Sequence, residues 1–184
     1  MKTISGFILA TILGWKIIGE FPNFKKSIIV FGPHTSYYDA LYGKLYLNVI
    51  GIKHLILTKK EVFFFPMSIL LKWYRAIPVR GVKDKNAIYC VTQMLEESKN
   101  LHIVISPEGT RKKVIRWNKG FYYIANKANV PIVVVYLDYK KKEIGIKGVI
   151  SQTEDIRTVI HQINTMYKDV TAKYPENFSL DLKI

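Results

Sequence analysis

The chain has 184 residues, 49% of them hydrophobic and 23% charged, and carries a formal net charge of +14. That length holds one domain with a real core, and that composition excludes a disordered or low-complexity chain. A single cysteine, Cys90, excludes a disulfide framework within the chain. The excess positive charge points to an anionic partner: nucleic acid, a phospholipid surface or a phosphorylated substrate.

The first segment, "MKTISGFILATILGWKIIG", is apolar from Phe7 to Leu13 before Trp15 and Lys16 interrupt it. It is shorter than the roughly 20 residues a spanning helix needs, and it has no convincing cleavage site for a signal peptide. The expectation is an amphipathic helix over residues 1–20, lying in a membrane interface with Trp15 and Lys16 at headgroup depth. The alternative is a helix packed on the domain. Residues 21–184 show no repeat and no Ser/Gly linker, so they are expected to form one domain.

Five short β-branched runs then predict buried strands: Ser27–Phe31, His54–Thr58, Ala76–Arg80, Leu101–Ser106 and Pro131–Tyr139. Glu143–Ile150 alternates more and is expected at a sheet edge. Helical patterns separate them, at Tyr38–Ile50, Phe64–Tyr74, Asp84–Lys99 and Lys119–Ala128, and Glu154–Tyr174 closes the chain. Cys90, inside the third of these, is expected to be a small buried core residue rather than a nucleophile. Alternating strands and helices predict a single α/β domain with a largely parallel central sheet flanked by helices. In such sheets, sites form at the carboxyl ends of the strands.

Two polar clusters fall at such ends. In "GPHTSYYDA", His34 follows the first strand and a proline, and Ser36-x-x-Asp39 has the spacing of a capping box. This places Asp39 in the first helical turn with His34 just before it. A carboxylate held against an imidazole fixes its tautomer and stabilises the imidazolium that forms, as in a general base. A capping box with an incidental histidine is the plainer alternative. Ser36 is better used as a cap, and there is no Gly-x-Ser-x-Gly elbow. The histidine is therefore expected to deprotonate a substrate hydroxyl directly.

The second cluster, "SPEGTRKKVIRWNKG", follows the fourth run. Gly109 allows close backbone approach, Arg111 offers a planar fork suited to phosphate, and nearby lysines add positive potential. Glu108 can accept from a substrate hydroxyl or pair with a neighbouring base. Arg75 and Arg80, in "RAIPVRG", add two more cations. Together these features predict chemistry on a phosphorylated alcohol.

These residues resemble the glycerophospholipid acyltransferases, specifically the bacterial 1-acyl-glycerol-3-phosphate acyltransferase group. The resemblance rests on His34 to Asp39 as an H-x-x-x-x-D block and Glu108-Gly109-Thr110-Arg111 as an E-G-T-R block. It is extended by Lys59–Pro66, Arg75–Arg80 and Val130–Val133, in family order. The sequence departs from the family at Arg75-Ala76 and at Val79-Arg80-Gly81. The resemblance implies that His34 is the base and Asp39 its orienting partner. Glu108, Gly109, Thr110, Arg111 and Arg80 would bind substrate, the two arginines holding the acceptor phosphate. It implies an acyl thioester donor, acyl-CoA or acyl carrier protein, a lysophospholipid acceptor, and no cofactor or metal. It also implies an anionic membrane surface as partner, with the protein peripheral or monotopic on the cytoplasmic face of the inner membrane. Phe63, Phe64, Phe65 and Met67, with Trp73, are expected to wall an acyl-chain pocket or dip into the bilayer, with ordinary core packing as the alternative. A lyso-aminolipid acceptor remains open, since arginine suits carboxylate and phosphate alike. A more distant alternative is a non-enzymatic basic module for nucleic acid, but the lysines are scattered and no recognition motif is present, so no nucleic-acid partner is expected.

Overall fold

The apolar runs become the strands of one sheet. A computed structural model of the protein describes residues 2–79, 85–151 and 155–182. Seven strands form the sheet: β1 (Lys16–Ile18), β2 (Lys26–Gly32), β3 (His54–Lys59), β4 (Ala76–Val79), β5 (Leu101–Ile105), β6 (Ile132–Asp138) and β7 (Glu143–Ile150). Their order is β1-β7-β6-β2-β5-β3-β4. Among the described residues, five of the six strand pairs are parallel, and the β6–β7 hairpin is antiparallel.

The strand pleat divides the core in two. Ile28, Val30, Leu101, Ile103, Ile105, Ile132 and Val134 face one way. There they meet α4 (Lys85–Glu97), α5 (Gly120–Lys127) and α6 (Ile156–Tyr167). Ile29, Phe31, Val104, Val133 and Val135 face the other way, onto Tyr46 and Leu47 of α2 (Tyr37–Ile50) and Leu9 of the N-terminal helix. Both sheet faces are covered, which is why the central strands are continuous apolar runs. The helix α3 (Met67–Trp73) links β3 to the edge strand β4 and has no buried residue.

Several expectations are corrected. The N-terminal segment is helical only from Lys2 to Ile12, as α1 (Lys2–Phe7) and a following π turn. Lys16–Ile18 is an edge strand parallel to β7, and Trp15 is buried at 4% exposure instead of sitting at headgroup depth. Trp15 packs against Tyr42 and Tyr139, and that contact pulls the segment onto the domain. Glu143–Ile150 is consequently not the edge; its alternation reflects a sheet face that is only partly covered. Cys90 is exposed, on the outer side of α4 whose inner side carries Val91 and Leu95. The last helix stops at Tyr167, well short of Tyr174.

Beyond α6 the chain runs as a strap. Thr171 O accepts from Tyr139 N–H at 2.9 Å, and Tyr174 N–H donates to Thr35 Oγ1 at 3.3 Å. Further on, Asp181 accepts from Trp117 N–H at 3.1 Å and exchanges two bonds with Asn164 of α6. The strap therefore ties the β2–α2 turn, the end of β6 and the loop after β5 to one another.

Candidate active site

β2 and β5 are adjacent and parallel, so the segments leaving their carboxyl ends emerge on the same edge of the sheet. This brings the two polar clusters together, as expected. Ser36 is the N-cap of α2, with Oγ accepting from Tyr38 N–H at 3.2 Å, and Asp39 closes the capping box.

Asp39 does more than cap. It is fully buried, and its Oδ2 accepts from the amides of Thr35 and Ser36, both at 2.7 Å. The same oxygen lies 3.4 Å from His34 Nδ1. Its Oδ1 accepts from the Tyr139 hydroxyl at 2.5 Å. Burial first, and then the bond to Asp39, push the Tyr139 hydroxyl far above its ordinary pKa, so it stays a donor. Among the described residues His34 Nδ1 has no hydrogen-bond partner, the Asp39 carboxylate being a close approach rather than a formed bond. Asp39 Oδ2 is already taken by two short amide bonds, which explains the longer imidazole contact. Such bonds commonly tighten once substrate is bound.

Glu108 lies beneath His34 rather than toward solvent. It is 5% exposed, and its Oε1 accepts from the His34 amide at 2.9 Å. Burial pushes its carboxyl pKa up, against the pull of the neighbouring His34. Its Oε1 is thus taken by backbone rather than by the imidazole, and its Oε2 has no hydrogen-bond partner among the described residues. Gly109 holds a left-handed φ of +62°, and a Cβ there would meet Asn118 Nδ2 at 2.5 Å. Thr110 Oγ1 accepts from Lys112 N–H at 3.4 Å within the turn. Arg111 reaches back across the site, its guanidinium 3.6 Å from the centre of the Tyr37 ring. Arg80 lies outside the described residues.

A family model described as "Acyltransferase" matches residues 16–138. The chain belongs to the acyltransferase family. That membership replaces the reading as a non-enzymatic module. In structure, the acyltransferase is similar to the crystal structure of the 1-acyl-sn-glycerophosphate acyltransferase PlsC from Thermotoga maritima. The TM-score is 0.64 at 16% identity, covering 94% of this chain and 80% of that one. At that identity the likeness speaks for the fold. No curated protein matches the chain.

The aromatic stripe expected to wall an acyl-chain pocket or dip into the bilayer is largely open to solvent. Phe64 and Phe65 are 58% and 81% exposed, and Trp73 is 62% exposed. They sit on the β3–β4 connection at the sheet's outer edge, where Trp73 meets Tyr74 and carries the Lys44 ammonium 5.7 Å from its ring centre, and exposure of this degree is not core packing. Phe63 and Met67 are half-buried. Among the described residues, no group of three or more His, Cys, Asp or Glu could hold a metal ion, and no helix is long and apolar enough to cross a membrane.

Two side chains of this acyltransferase's site had no signal in the sequence. Tyr139 meets Asp39 across a separation of one hundred residues. Lys173, on the strap, places its ammonium 3.4 Å from the centre of the Tyr38 ring. No spacing rule links either to the motif residue it meets.

Proposed function

We propose that the enzyme moves a fatty acyl group from an acyl thioester, acyl-CoA or acyl carrier protein, to the free hydroxyl of a lysophospholipid. The acceptor that fits best is 1-acyl-glycerol-3-phosphate, giving phosphatidic acid. The observation that carries this reading is the buried Asp39 carboxylate, held by three donors and set against His34 Nδ1. That arrangement leaves Nε2 as the proton acceptor. His34 takes the proton of the acceptor hydroxyl as its oxygen attacks the thioester carbonyl. The tetrahedral intermediate collapses with cleavage of the carbon–sulfur bond, and the imidazolium returns the proton to the departing thiolate. Asp39 stabilises the imidazolium throughout. Arg111, beside the same edge, suits the acceptor phosphate.

A place on the cytoplasmic face of the inner membrane, peripheral or monotopic, suits a lipid acceptor. Apolar side chains exposed on the N-terminal helix support it, namely Ile4 at 65%, Phe7 at 59% and Ile12 at 64%, as do Phe65 and Trp73. The +14 charge would add attraction to anionic lipid.

The test is acyl transfer by purified protein in detergent. Labelled acyl-CoA and acyl carrier protein are each offered with lysophosphatidic acid, lysophosphatidylcholine, and lyso-ornithine and lyso-glycine lipids. Product from lysophosphatidic acid, lost in His34→Ala with an intact fold by circular dichroism, is the expected result. Product only from a lyso-aminolipid would overturn the acceptor. Wild-type rates in His34→Ala would remove the general base.

A further inference from the structure

We propose that Lys173 is an anion-binding residue of this acyltransferase, gripping a substrate phosphate together with Arg111 across the first turn of α2. The proposal rests on the acyl-transfer reading above and extends it to a residue outside every recognised motif.

Tyr37 and Tyr38 are the first two residues of α2, beside the catalytic pair. Each carries a cation on its ring: Arg111 at 3.6 Å on Tyr37, and Lys173 at 3.4 Å on Tyr38. The Lys173 ammonium also lies 6.0 Å from the ring of Tyr139, whose hydroxyl holds Asp39. The backbone beside it is pinned, since Tyr174 N–H donates to Thr35 Oγ1, next to His34. The ammonium is thus delivered to the catalytic edge by the strap.

The charge balance there is one-sided. Among the described residues, neither Lys173 nor Arg111 forms an ion pair with a carboxylate. The nearby acids, Asp39 and Glu108, are buried and turned onto the His34 segment. Of the strap's own acids, Asp169 is taken by Lys141 and Lys147, Asp181 accepts from Trp117 N–H, and Glu176 forms no ion pair with Lys173 among the described residues. Two cations without a carboxylate partner thus stand over consecutive residues at the positive end of a 14-residue helix. Ring faces at exposed sites compensate such charges only weakly. A phosphate between them completes the balance, with charge-assisted bonds from a guanidinium fork and an ammonium. The phosphate belongs either to the acceptor headgroup or to the nucleotide of acyl-CoA, and the experiment separates the two.

Lys173→Met keeps the aliphatic stem and removes the charge. Binding of glycerol 3-phosphate and of coenzyme A is measured by calorimetry on the intact protein, alongside steady-state kinetics. Loss of one charged bond is expected to weaken binding of one probe by about 10- to 100-fold, with Lys173→Arg restoring it. A change confined to glycerol 3-phosphate, with a raised KM for lysophosphatidic acid and unchanged kcat, assigns the acceptor phosphate. A change confined to coenzyme A, with a raised KM for acyl-CoA, assigns the donor. Wild-type affinity for both probes in Lys173→Met overturns the proposal. Lys173→Gln provides the same comparison if Lys173→Met does not fold. A wild-type protein that binds a probe but transfers no acyl group refutes the proposed function, while the calorimetry still decides the role of Lys173.

Discussion

Tyr139→Phe deletes one oxygen from this protein and nothing else of consequence. The ring keeps its edge contact with Trp15 at 5.1 Å and its contact with Tyr42 at 6.0 Å. The Tyr139 amide keeps its bond to Thr171 O. The 2.5 Å donation to Asp39 Oδ1 is lost, inside a site where that carboxylate is fully buried. A hydrogen bond to a charged group contributes about 1.5–3 kcal/mol. For a chain of this size that lowers Tm by about 3–12 °C. The freed carboxylate oxygen can swing, and with it the orientation of the imidazole. If the whole energy is expressed in the transition state, kcat falls by about 10- to 150-fold. KM should not move, because no substrate contact is lost. The assays are thermal unfolding and steady-state acyl transfer on the same preparation. Wild-type Tm and kcat in Tyr139→Phe would refute the claim that Tyr139 holds Asp39 in place. A double-mutant cycle with Asp39→Asn checks that the loss runs through that pair.

The same geometry sets other outcomes. Gly145→Ala would put a Cβ 2.0 Å from the Ile18 carbonyl oxygen, so β1 must leave β7; the cost is about 1–3 kcal/mol by urea denaturation, with faster hydrogen exchange at the Lys16–Ile18 amides. Unchanged exchange there would show that the edge yields without detaching. Gly109→Ala combines a left-handed backbone with contact on Asn118, and should cut acyl transfer by displacing the loop that carries Arg111, at a cost of about 1–2 kcal/mol in stability. Arg111→Ala should raise the acceptor KM by about 10- to 100-fold with little change in kcat, read from initial rates. His54 and His102 face each other on β3 and β5. Burial lowers both pKa values from 6.5 to about 4, with Lys44 and Arg75 adding to the effect on His54. The unfolded chain binds those protons first, so stability is complete above pH 6.5 and falls as pH drops toward 4, which a series of urea midpoints across that window would show.

Local pattern made much of this protein legible. The strands are β-branched runs covered on both faces, and that burial is why they read as continuous apolar segments. The capping box at Ser36 and Asp39 is a three-residue spacing, and the positive-φ turn at Gly109 has the residue that turn demands. The features that escaped are those without a local rule. β1 is only three residues long, and its place is set by Trp15 burying itself against Tyr42 and Tyr139. The end of α6 at Tyr167 is fixed by tertiary contacts: its hydroxyl donates to the Val30 and Val135 carbonyls, and its ring fills the space a Gly32 side chain would need. The exposure of Phe64 and Phe65 depends on which strand lies at the sheet edge, a matter of strand order that composition does not encode.

His34 and Asp39, the proposed base and its partner, were therefore present in a contiguous stretch of sequence, because capping and turn chemistry act within a few residues. The environment that makes them a pair was decided by the fold alone. Tyr139 from β6's end, Glu108 from the loop after β5 and Thr35's bond to the strap converge only when the strands lie in register. Desolvation makes each of those bonds matter, and it does not exist until the chain has closed around them.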